Sequence, residues 1–173
     1  MPPLPPAEAV RQLCPQCGLC CNGVLFGDVE LQRGDNQKLL TQEGVTLFRK
    51  GRKTAFAQPC SLYVDGLCRI YENRPRRCAT FVCGLLKRVQ TGETAPATAL
   101  KKIATAKRHV AQVTKLVRQL GNHDEGAPLN QRYAAIMARP IDLAADEAEI
   151  ERRGALMRSV ARLAESLERD FLT

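Results

Sequence analysis

The chain has no tryptophan, and three tyrosines and five phenylalanines are its whole aromatic content. At 173 residues it is the size of one domain, and with 45% hydrophobic residues it can build only a modest core. No apolar run approaches the roughly 18 residues of a membrane span, so no membrane partner is expected. The opening MPPLPPAEAV places four prolines where a secretory signal needs an apolar stretch, which makes a reducing cytoplasm the expected location. There is no HExxH, no Gly-rich phosphate cradle and no carboxylate pair, so the common hydrolase and nucleotide-handling chemistries find no support. His109 and His123 are the only histidines, one on a basic helical stretch and one in the loop GNHDEG, and neither reads as a ligand.

What the chain does have is eight cysteines, in two sets of four: Cys14, Cys17, Cys20 and Cys21, then Cys60, Cys68, Cys78 and Cys83. The first set reads CPQCGLCC. Thiols at i, i+3 and i+6 on a tight loop can converge as a tripod of soft ligands. The second set is spread through PCSLYVDGLCRIYENRPRRCATFVC, where turns and a short helix could fold it back toward the first. Four disulfides are the other use of eight cysteines, but a reducing compartment favours metal.

The 26 Lys and Arg against 18 Asp and Glu give a formal charge of +8. Metallated thiols become thiolates, and a tetrathiolate zinc site or a four-cysteine [4Fe–4S]²⁺ cluster carries a formal charge of about −2. Arg69, Arg74, Arg76 and Arg77 are interleaved with Cys68 and Cys78, close enough to donate to sulfur or neutralise it. A basic stretch at 97–120 carries Lys101, Lys102, Lys107, Arg108, Lys115 and Arg118 with no acid. It lacks aromatic residues or a recognition motif, so no nucleic-acid partner is expected.

The pattern of elements predicts an α+β fold: a small irregular metal-nucleated cysteine-cluster region with short hairpins, then an α-helical C-terminal half. Residues 1–12 read as a disordered Pro-rich tail, with at most a helical turn before Cys14; 13–90 as the cysteine-cluster domain; and 97–173 as a helical region packing on it. VLFGDVEL has strand character, and GDNQKLLTQEG fits a short helix with Asp35 near its start. Hairpins are expected around Lys50-Gly51-Arg52 and at Asp65-Gly66, the latter a two-residue turn. A helix is expected from Pro75 to about Val89. Cys78 and Cys83 would then lie about 140° apart around its axis, so either the helix breaks between them or they serve different centres. Three helical patterns follow. The first runs from about Ala97 to Leu120, with Leu100, Ile103, Val110, Val113, Leu116, Val117 and Leu120 as its apolar stripe. The second follows Pro128 to about Ala138. The third runs from about Leu143 to Phe171 with Ile150, Leu156, Val160, Leu163, Leu167 and Phe171 inward. Asp146, Glu147, Glu149, Glu151, Glu165 and Glu168 on this last helix offer complementary charge to the basic stretch.

CPQCGLCC, then QPC, GLCRIYENRPRRC and FVC, resembles the CxxCxxCC family of zinc- or iron-chelating proteins, also called YkgJ-type cysteine-cluster proteins. The resemblance covers roughly residues 14–86, with no part for the helices from Ala97 onward. It implies metal chelation in a prokaryotic cytoplasmic protein through Cys14, Cys17, Cys20, Cys21, Cys60, Cys68, Cys78 and Cys83, with Ile70, Tyr71, Arg74, Pro75 and Phe81 also matched. Ala79 departs from the family's usual Arg. A related cysteine arrangement is similar to that of flagellin lysine methylases, which hold an iron–sulfur cluster.

CPQC and CGLC can be parsed as zinc knuckles, while C-x2-C-x2-C matches the first three ligands of bacterial [4Fe–4S] ferredoxins, which makes iron the stronger fit. Adjacent residues seldom bind one ion, so Cys21 is expected at a second centre or as a spare thiol. The expected cofactor is an iron–sulfur cluster or zinc, in a structural or redox role, with any redox or protein partner left open. An iron–sulfur enzyme like the lysine methylases is the alternative, and a thiol oxidoreductase using Cys14 and Cys17 lacks the preceding βαβ strand. Arg74 is expected to support the thiolates, and Tyr71 and Phe81 to pack around the centre and exclude water.

Overall fold

Helix accounts for 56% of the computed structural model and strand for 10%. It describes residues 4–140 and 147–172, and its strands lie between residues 28 and 68, so the fold class is the expected α+β. The chain divides into two compact units. One contains residues 18–82 with 125–128, and the other contains residues 4–17, 83–124, 129–140 and 147–172. The boundary does not follow the change of composition near residue 90, because the first helix belongs with the late ones.

In the β-rich unit, β1 (Asp28–Glu30), β2 (Leu47–Lys50) and β3 (Lys53–Ala57) form an antiparallel sheet in the order β1-β3-β2. The predicted hairpin about Gly51 joins β2 to β3. Phe56 faces Val29 on one side and Leu47 on the other, and carboxylates on β1 meet the hairpin's cations: Lys50 to Asp28 at 2.7 Å and Lys53 to Glu30 at 2.6 Å. The second hairpin, β4 (Tyr63–Val64) and β5 (Leu67–Cys68), turns through Asp65 and Gly66 with φ of 50° and 82°. Positive φ at both central residues is the Asp-Gly turn whose twist suits a hairpin. Helix α2 (Gln37–Gln42) is capped by Asn36, whose Oδ1 accepts from the Leu39 amide at 2.9 Å. Val29, Leu31, Leu40, Val45, Phe56, Leu62 and Ile70 form the buried core.

The helix expected from Pro75 to Val89 is two helices, α3 (Arg76–Thr80) and α4 (Gly84–Gln90). Phe81 and Cys83 take extended backbone between them. The chain breaks there because Cys83 acts as the cap of α4, its Sγ accepting from the Leu86 amide at 3.4 Å.

The helical unit is built on α5 (Pro96–Gln119), against which α1 (Pro6–Cys17), α4, α6 (Leu129–Met137) and α7 (Glu147–Leu167) pack. Residues 6–12, expected in a disordered tail, form the start of α1, because Ala9 and Leu13 find burial. The α5 stripe is corrected in two places: Leu100 and Val110 are only half-buried, while Ala99 and Ala106 are fully buried. Alanines there let neighbouring helices approach closely.

Leu156, Leu163, Leu167 and Phe171 bury as expected, but Ile150 is 42% exposed. Leu143 and Asp146 lie outside the described residues. Arg153 is buried and donates to the carbonyls of Ile136, Arg139 and Pro140 at 2.9–3.1 Å, supplying a cation and donors where a helix end leaves carbonyls unpaired.

After α7 comes a π-helical turn, Glu168–Leu172, whose Asp170 is almost fully buried. Its two carboxylate oxygens meet Lys102 and Arg169, and Arg88 donates to its carbonyl at 2.8 Å. Asp170, absent from the expected acids, thus makes the charge pairing to α5. Burial pushes its carboxyl up, but the hydrogen bonds from Arg169 and Lys102 outweigh that and hold it below the usual range. A depressed carboxyl stabilises the fold above its unfolded pKa and loses that contribution as pH falls through the folded value. Asp170→Asn should therefore cost about 1–3 kcal/mol near pH 7 and flatten the loss of stability below about pH 4, as read from urea unfolding at a series of pH values.

Candidate metal centre

All eight cysteines are of intermediate exposure. The CPQCGLCC run is not a single loop. Cys14 and Cys17 ride on α1, which encloses Pro15 and ends at Cys17, while Cys20 and Cys21 sit in the turns beyond it. The expected loop tripod of Cys14, Cys17 and Cys20 is therefore replaced by a helical pair and a turn. Two residues three apart on a helix lie about 60° apart around its axis, so Cys14 and Cys17 share a face. Cys83 caps α4 in the same unit, and α1 packs on α4.

The β-rich unit holds Cys20, Cys21, Cys60, Cys68 and Cys78. Gly18, with φ of 68°, turns the chain out of α1, and the Cys21 amide closes that turn on the Gly18 carbonyl at 2.9 Å. A Cβ at position 18 would run into the Tyr63 hydroxyl. The Cys60 amide donates to the Cys21 carbonyl at 2.9 Å, fastening the proximal turn to the distal QPC segment. Cys60, Cys68 and Cys78, from three separate stretches of chain, pack against the same apolar core. Cys78 is placed by α3, whose Pro75 offers no side-chain cap. Asp35 supplies one from a distance: its Oδ1 accepts from the Arg76 amide and its Oδ2 from the Gln32 amide, both at 2.8 Å.

The sulfurs of Cys20 and Cys21 are 3.7 Å apart. The hydrogen bond from Cys21 lowers the Cys20 thiol to about 7 despite burial. Cys21 is pushed up because it gives that hydrogen bond, is buried, and faces charge at Cys20, Cys78 and Cys60. Burial raises Cys60, with Cys68 adding repulsion. Burial also pushes Cys78 up to about 12, with further repulsion from Cys60, Cys20, Cys68 and Asp35. Cys78 thus lies within the electrostatic reach of Cys20, Cys21, Cys60 and Cys68. No three Cys, His, Asp or Glu side chains among the described residues stand in the arrangement of a formed metal site.

The residues expected around the sulfurs are placed differently. Arg74 lies 3.7 Å over the Tyr71 ring and donates to the Tyr71 carbonyl. Arg69 pairs with Glu43 and Arg77 with Glu30, since a guanidinium fork matches a carboxylate better than a thiol. Tyr71 and Phe81 are 41% and 37% exposed, Phe81 standing edge-on to Phe26. They are too open to exclude water, and Leu62 and Ile70 bury beside the distal thiols instead. Gly18, Tyr63 and the remote cap Asp35 were not visible as site residues. Only the glycine inside the cysteine run offered a signal.

A family model described as "Putative zinc- or iron-chelating domain" matches residues 13–113, more than half of the chain. The chain belongs to the CxxCxxCC family. The match runs past the cysteine motif into α5, further than the residues 14–86 that carry the resemblance. No curated protein and no solved structure matches this CxxCxxCC protein. Its donor set fits the metals the family description names: half-buried soft sulfurs, three of them gathered on one core, suit zinc or iron better than a hard cation.

Two outcomes test this geometry in the metal-free CxxCxxCC protein. Cys20 should alkylate faster than Cys21 near neutral pH, with its rate falling about tenfold per unit once pH is well below about 7. Fragment-ion mass spectrometry after timed iodoacetamide treatment separates the two positions. Gly18→Ala should cost about 1–2 kcal/mol from its left-handed backbone alone. The collision with Tyr63 adds to that cost, and Tyr63→Ala should restore only the steric part in urea unfolding.

Proposed function

We propose that this protein holds zinc or iron through its cysteine thiolates, and that the metal's first role is to close the loops of the β-rich unit. The observation that carries this is the gathering of Cys60, Cys68 and Cys78 on one core, with the Cys20–Cys21 turn tied to Cys60. Seven buried apolar residues are a small core, and a shared ion adds stability by constraining long loops and by binding only the folded chain. Cys14, Cys17 and Cys83 are further sulfurs, carried by the helical unit on its own elements. Eight donors exceed the four that one tetrahedral ion accepts. A reducing compartment such as the cytoplasm keeps all eight thiols available.

The C-x2-C-x2-C spacing favours an iron–sulfur cluster with electron transfer as the role, but with Cys14 and Cys17 on α1 and Cys20 in the turn beyond it the geometry supports single zinc or iron ions better. An enzymatic role has less support.

Anaerobic purification with metal analysis and a visible spectrum tests the proposal. Stoichiometric zinc in a colourless protein, or iron with a broad thiolate charge-transfer band, supports it; a chain that takes up neither sinks it. Cys17→Ser and Cys78→Ser should each reduce bound metal and lower the Tm by about 4–8 °C, roughly 2 kcal/mol at this length. Full metal retention in Cys78→Ser would remove that residue from the ligands.

A further inference from the structure

Consecutive residues in extended chain send their side chains to opposite faces. At Cys20 and Cys21 the turn closed on Gly18 brings both thiols to one side, with 3.7 Å between the sulfurs. In tetrahedral S₄ coordination with metal–sulfur bonds of about 2.3 Å, the edge between two ligand sulfurs is about 3.8 Å. The pair therefore already stands at the separation one ion requires. A [4Fe–4S] cubane binds one cysteine at each iron, so its cysteine sulfurs stand well out of contact with one another.

We propose that the adjacent Cys20 and Cys21 are ligands of one tetrahedral ion, zinc or a lone iron, completed by Cys60 and one more of the distal thiols on its core, Cys68 or Cys78. This rests on the zinc- or iron-binding function above and goes further by assigning a ligand set within the β-rich unit. The Cys60 backbone is fastened to that of Cys21 by its amide bond to the Cys21 carbonyl, and Cys68 and Cys78 pack on the same core as Cys60. A shared ion departs from the expectation that Cys21 serves a second centre or is a spare thiol: what matters is the direction of the side chains after the turn.

The test uses the full-length wild type loaded with Zn²⁺, treated with limiting EDTA and pulse-alkylated. Cys20, Cys21 and Cys60, with either Cys68 or Cys78, should be protected together and become reactive in parallel as the ion leaves. Alkylation of Cys21 in the loaded protein while Cys20 stays protected overturns the assignment, and this measurement needs no variant to fold. In the variants, Cys20→Ser and Cys21→Ser should each lose the same single equivalent of zinc, with the double variant losing no more. Additive losses overturn the shared ion. In protein isolated with iron, inorganic sulfide released in proportion to the iron lost by Cys21→Ser overturns the lone-ion assignment. A wild type that binds neither zinc nor iron defeats the parent proposal as well, whereas a metal-loaded wild type with additive losses defeats this one alone.

Discussion

The bond from the Cys60 amide to the Cys21 carbonyl joins segments nearly forty residues apart, and much of the cysteine geometry depends on it. On one side lies the turn that Gly18 opens; on the other, the QPC segment leads through Leu62 and Tyr63 into the second hairpin. Tyr63 then reaches back to pack on Gly18, so the same two segments touch twice. A glycine is required there for two independent reasons: the backbone is left-handed, and the phenol occupies the space of a side chain. The cysteines need this scaffold because each half-buried thiol gives up some hydration and gains little until sulfur meets a partner.

The core beneath them is too small to do this by apolar burial alone. Polar bonds over long sequence distances carry part of the organisation. Asp35 spans 41 positions to cap α3, and in doing so sets where Cys78 stands. Glu30 meets both Lys53 and Arg77, tying the sheet to the segment around α3. These ionic contacts are largely exposed, so each is worth little on its own. Their use is positional, holding short elements that could not form in isolation.

The helical unit solves a different problem. Its α5 presents alanines and branched residues to several neighbours, which brings helix ends into places where their carbonyls must find donors. Arg153 answers this at the end of α6 and Arg88 around the π-helical turn that closes α7, where Lys102 and Arg169 meet the buried Asp170 carboxylate. The basic excess of α5 is thus partly structural: Lys102 is held by a buried carboxylate, and Lys107 donates to the Gln16 carbonyl near the end of α1.

Local chemistry was legible in the sequence wherever it acts over a few residues. Both hairpins, the α+β class and the donor type could be read directly, because turn residues, helical periodicity and thiol softness need no distant partner. The helix break before Cys83 was open as one of two choices, and the Cys83 cap decided it. Arg153 and Asp170 gave no signal, since a charged residue reads as exposed until the fold surrounds it with partners. The same holds for the thiols: their number and spacing belong to the sequence, but which sulfurs become neighbours depends on Gly18, Tyr63 and Asp35 acting across the chain. Only the tertiary structure could decide that, because the direction in which a side chain leaves a turn is set by contacts remote in sequence.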